Sequence, residues 1–121
     1  ITDKGKEDFL CWLLKDPPLD PTPKDVFKLR SYYSQWISTA DYLVLLDKQI
    51  EKRLAKYTFL SDRLKNVYGD RDIASLAGSD RGDYLVLLGA VMREQTYLDW
   101  LQRSREVVTM WDDSSDAQCE Q

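Results

Sequence analysis

The residue types that usually carry catalysis are thin in this chain. It holds no histidine, which removes the commonest general base and the commonest metal ligand near neutral pH. Cys11 and Cys119 lie near opposite ends and form no CxxC pair, so neither a zinc site nor a thiol redox motif is written. Two reduced thiols are the expectation. Asp70 and Asp72 flank Arg71 beside Gly69, a pattern that caps a turn more readily than it holds Mg²⁺. No phosphate loop, dinucleotide fingerprint or nucleophile elbow occurs, and Arg81-Gly82-Asp83 sits at a helix start. The residues therefore predict no catalytic site, no metal and no cofactor.

Charge and aromatic chemistry remain. The chain carries 17 Lys plus Arg against 21 Asp plus Glu, for a net charge of −4. Between Pro23 and Tyr68 nine bases face five acids, so this stretch is +4 and the rest of the chain −8. Lys48, Lys52 and Lys56 are four apart and share one helical face, which Arg63 and Lys65 continue. Such a stripe can meet phosphates, with Phe59 beside it to stack on a base. It can equally pair with acids of a neighbouring helix. Four Trp and seven Tyr are a second excess. Tyr32, Tyr33, Trp36, Tyr97, Trp100 and Trp111 gather towards one end, as interface anchors or as a satellite core under the first helix. Leu29, Tyr33, Trp36, Trp100 and Trp111 are the candidate partner surface.

The elements that position these residues are all predicted to be α-helical. Phe9, Leu10, Leu13 and Leu14 recur at helical spacing after a Thr2 or Asp3 cap, giving a short N-terminal helix within residues 1–15. Residues 16–23 read DPPLDPTP, a proline-rich linker that no regular element crosses. Thr22, Pro23 and Asp25 then form a capping box. No further Gly or Pro intervenes before Gly69, which predicts one helix of roughly 69 Å at 1.5 Å per residue. Leu29, Trp36, Leu43, Ile50, Tyr57 and Leu64 recur every seven residues, and Tyr33, Ala40, Asp47, Leu54, Ser61 and Tyr68 follow four later. That repeat predicts coiled-coil packing.

A returning helix over Arg81–Trp111 completes a long antiparallel coiled-coil-like hairpin across residues 24–111. Its stripe is Tyr84, Leu87, Leu88, Val91, Leu98, Leu101 and Val108, interrupted by Gln95 and Arg105. The returning helix is the shorter, so an overhang carrying Val26, Leu29, Tyr33 and Trp36 is left for the first helix or a second subunit to cover. Residues 112–121 are read as an acidic mobile tail. No apolar run approaches the roughly 18–20 residues of a membrane span, so the expected location is the cytoplasm.

Tyr33-Ser-Gln-Trp-Ile37, the Tyr68-Gly69-Asp70 turn and Leu98-Asp99-Trp100-Leu101 followed by Arg103 and Arg105 resemble the phage recombination mediator (UvsY-like) family of small helical proteins. The resemblance implies a non-enzymatic homo-oligomer in the host cytoplasm that binds single-stranded DNA and a recombinase. The alternative expectation is a structural or adaptor protein of a virion or other large complex, acting through protein–protein contacts alone.

Overall fold

The structure, a computed structural model, describes residues 2–111 of the 121-residue chain. The acidic tail expected over 112–121 and Cys119 lie outside the described residues. Four α-helices and two short 3₁₀ turns make up the described regular structure, with no strand among the described residues. The all-helical expectation holds.

Helix α1 (Asp3–Leu14) is capped by the Thr2 hydroxyl, which accepts from the Gly5 amide at 3.0 Å. It buries none of its residues. Phe9 and Trp12 stack on one another at 6.1 Å and stay half-exposed, and Cys11 is an exposed free thiol. Residues 15–25 run without helix through the prolines.

The next segment corrects the single long helix. Helix α2 covers only Val26–Tyr32, a 3₁₀ turn takes Ser34–Trp36, and helix α3 starts afresh at Thr39 and ends at Tyr68. The start differs too. Asp25, not Thr22, is the cap, accepting from the Lys28 amide at 3.0 Å. The break has local causes. Ser38 accepts from the Asp41 amide at 3.1 Å, a Ser-x-x-Asp cap that favours a helix start over a helix interior. Apart from Gln35, the residues of 31–37 before it are aromatic, Ser or β-branched, poor at holding an uncommitted helix. Ser31 also bonds back to the Phe27 carbonyl at 2.9 Å and takes the Tyr42 hydroxyl, tying α2 to the first turn of α3. Ser38→Ala is expected to cost about 1 kcal/mol, read as a lowered midpoint in urea denaturation followed by circular dichroism.

Asp72 caps the second 3₁₀ turn (Ile73–Ser75), accepting from the Ala74 amide at 3.2 Å and the Ser75 hydroxyl at 2.8 Å. Both its oxygens serve the turn. Gly78, with φ 61°, then turns the chain into helix α4 (Ser79–Thr109) through backbone space that a side chain rarely enters.

Helices α3 and α4 pack antiparallel around two apolar clusters. One holds Tyr42, Leu46, Leu101 and Val108, with Phe27 and Trp100 against it. The other, by the turn, holds Tyr68, Leu76 and Leu87. Leu76 is buried, whereas Ile73 stays 41% exposed. Tyr68 donates to the Asp83 carboxylate, a bond that with burial pushes its hydroxyl up to about 12.

The coiled-coil expectation fails in two places. Leu29 and Trp36 are 56% and 74% exposed, so the repeat does not reach back past α3. Within α3 the positions covered beside Leu43, Ile50 and Tyr57 include Leu46, Arg53 and Leu60, three residues on; of the positions four on, Ser61 and Tyr68 are covered and Asp47 and Leu54 are not. Asp47 instead faces Arg105 across the helix pair at 2.7 Å in an exposed contact, and Leu54 is half-exposed. With 30 residues in α3 and 31 in α4, no long overhang arises.

Candidate functional site

The break at residues 33–38 turns α2 back onto the first half of α3. Phe27 meets Tyr42 with nearly parallel rings 6.2 Å apart and Trp100 edge-on at 6.1 Å. Between α2 and α3 this leaves a groove of about 490 Å³. Its apolar lining is Phe27, Leu29, Tyr33, Ile37, Tyr42 and Leu45, with Ser34 and Gln49 as neutral polar groups. Its cations are Arg30, Lys48 and Lys52. No carboxylate lines it.

The residues singled out in the sequence are thus redistributed. Lys48 and Lys52, from the basic stripe, share the groove with Leu29 and Tyr33, from the aromatic end. Lys56 is exposed, with its Nζ 4.0 Å from Glu94 Oε2. Phe59 and Arg63 line a separate shallow hollow with Asn66 and Val67, and Lys65 is exposed near the end of α3. Trp36 is exposed, and Trp111, 56% exposed, borders another hollow with Trp100 and Arg103. Trp100 packs against Tyr97 at 5.4 Å, ring edge to face.

Between the two apolar clusters lies a charged centre that the sequence reading missed. Glu94 is fully buried, and Arg53 reaches it at 2.8 Å while its guanidinium lies 3.8 Å above the Tyr97 ring. Arg93 comes within 3.5 Å of the other carboxylate oxygen. Burial alone would raise the Glu94 carboxyl. The Arg53 hydrogen bond and the charges of Arg53 and Lys56 outweigh it and hold the group below the usual range. On Arg53, burial acts downward and the Glu94 bond upward, with a net rise. The buried Tyr97 hydroxyl makes no well-formed hydrogen bond, and burial, followed by the nearby Asp25 carboxylate, pushes it up to about 12. Lys28 sits over the outer faces of Tyr97 and Trp100 at 4.9 and 5.1 Å. One sequence signal was available. Glu94 continues Leu87, Val91, Leu98 and Leu101 at three- and four-residue spacing, and Arg53 falls midway between Ile50 and Tyr57.

Residues 23–109 match the family described as "Virulence activator alpha C-term". The chain belongs to that family. It is similar to the negative transcriptional regulator PadR of Bacillus subtilis (strain 168), 33% identical over 102 residues that span 84% of this chain and 56% of the relative. The crystal structure of Bacillus subtilis PadR in complex with operator DNA aligns with a TM-score of 0.80 at 31% identity, over 89% of this chain and 60% of that one. The same protein in complex with p-coumaric acid also aligns at 0.80 and 31% identity, covering 90% and 63%. The chain thus spans less than two-thirds of the length of these relatives.

These matches overturn the resemblance to the phage recombination mediators. It rested on a turn and a few aromatic positions, whereas the family match runs through both long helices. The recombinase, the single-stranded DNA, the bacteriophage origin and the virion or adaptor role fall with it. The curated relative is a transcriptional regulator rather than an enzyme, in agreement with the reading of a non-enzymatic chain.

Proposed function

We propose that the protein is a PadR-like transcriptional regulator that acts on operator DNA. The observation that carries this reading is the 31% identity and TM-score of 0.80 over 89% of the chain to PadR bound to operator DNA. Such a regulator works in the cytoplasm. No helix among the described residues is long and apolar enough to cross a membrane. The bound p-coumaric acid of the relative extends the reading to control by a small molecule. Self-association belongs to it as well. Leu85, Val86 and Met92 are 65%, 75% and 58% exposed along α4, apolar surface of the kind that pairs with another chain. Light scattering at micromolar concentration should give a mass above the 14.1 kDa of one chain.

The test uses the full-length regulator in fluorescence anisotropy, with the duplex upstream of its own coding sequence and the corresponding single strand. Duplex should bind at least about tenfold more tightly, with affinity falling steeply as salt rises. Equal affinity for the two would overturn the reading. Changing Lys52, Lys56 and Arg63 to Glu reports on the basic stripe. If these three contact phosphates, the log–log salt slope becomes shallower by about 3.

A further inference from the structure

We infer that the acidic segment over residues 112–121 docks on the cationic rim of the α2–α3 groove of its own chain. The rim presents positive charge that the described residues leave unmatched. Arg30, from the last turn of α2, and Lys48 and Lys52, one turn apart on α3, all line the groove. None of the three forms an ion pair among the described residues. Of the carboxylates close to them in sequence, Asp47 holds Arg105 at 2.7 Å and Glu51 does not line the groove.

The described residues end beside this rim. Trp111 borders a hollow that shares Ser34 and Tyr42 with the groove, so the two lie side by side. Beyond Trp111 come ten residues, DDSSDAQCEQ, with four carboxylates, no base, and neither Gly nor Pro. Fully extended they span roughly 33 Å. Lys52 lies about 15 Å along the α3 axis from Tyr42, well within that reach. Arg63 lies roughly 32 Å along the same axis, at its limit. Length thus selects the groove cations over those at the far end of α3. Arg103, in the hollow with Trp111, already has Glu106 at 3.7 Å.

The energies favour the tail of the same chain. An exposed ion pair contributes only about 0.2–1 kcal/mol, too little for a separate peptide of this sequence to stay bound. Covalent attachment at Trp111 raises the effective concentration into the millimolar range, where three weak pairs suffice. A second copy laying its groove on this one across a two-fold axis sets cations against cations. The docked tail links the end of α4 to Arg30 on α2 and to Lys48 and Lys52 on α3. It therefore favours the folded-back position of α2 over others. Added salt weakens this clip, because its charges stay in contact with water. None of this depends on the regulator reading.

The experiment places a nitroxide on Cys119 of the 121-residue chain carrying Cys11→Ser, and reads methyl NMR line broadening. The methyls of Leu29, Ile37 and Leu45 should broaden, and those of Leu64 and Leu87, towards the far end of the helix pair, should not. The effect should be at least about twofold smaller in K48Q/K52Q, and should fade as salt rises from about 50 mM to about 500 mM. The variant D112N/D113N/D116N/E120Q, which alters no residue of α2, α3 or α4, should lose it as well. Broadening spread evenly over both ends of the helix pair overturns the site. So does broadening that survives both sets of substitutions. A mixture of spin-labelled chains with isotope-labelled chains that lack the nitroxide tests the occupant. Groove broadening in that mixture as strong as in the singly labelled chain assigns the groove to another copy's tail, and overturns docking within one chain.

Discussion

Arg53→Ala should destabilise the protein by about 3 kcal/mol, far more than the loss of a surface charge. Its partner Glu94 has a side chain with 0% exposure, so truncating the arginine strands a carboxylate beside only Lys56 at 4.0 Å and Arg93 at 3.5 Å. The double variant Arg53→Met, Glu94→Leu should recover most of that loss, because apolar side chains of similar size leave no charge unpaired. Urea denaturation of wild type, Arg53→Met, Glu94→Leu and the double variant measures the coupling. A double variant no more stable than Arg53→Ala would show that the pair itself is not the source. The same bond sets an acid dependence. Glu94 has a folded value below its ordinary 4.5, so its stabilisation is complete above about pH 4.5 and is lost as pH falls through the folded value. In Arg53→Ala burial is opposed only by Lys56 and Arg93, and the acid limb should move to higher pH.

Leu101→Ala and Leu46→Ala should each cost about 3 kcal/mol. Both leucines are fully buried in the cluster with Tyr42 and Val108, where a deleted side chain leaves a cavity between two long helices that cannot easily close. Because they share one cluster, the double variant should depart from the sum of the singles. Leu14→Ala, on helix α1, is the control. At 87% exposure it should change the midpoint by no more than about 0.5 kcal/mol. A Leu101→Ala protein as stable as that control would mean that α3 and α4 are not packed through this face.

Much of the helical content could be read locally because its signals are local. Thr2 as a cap and the prolines of residues 16–23 act through groups within a few residues of themselves. The apolar stripe of α4 was legible for the same reason, since periodicity survives any context. The break at residues 33–38 was less legible. The Ser38-x-x-Asp41 cap was present, but a seven-residue repeat running through Trp36 competed with it. Only the contacts of Phe27 and Tyr42, and Ser31 with both, decide that α2 folds back.

The candidate site divides in the same way. The sequence by itself determined an all-helical protein with a net basic second segment and an excess of aromatic rings. Which of those residues meet was decided by tertiary structure. Lys48 and Lys52 join Leu29 and Tyr33 in one groove because the chain reverses between them. Arg53 and Glu94, two charges on inward stripes of separate helices, are tolerable there only because each is the other's partner. A single helix shows half of that bargain, and the energy that settles it appears only once α3 and α4 are packed together.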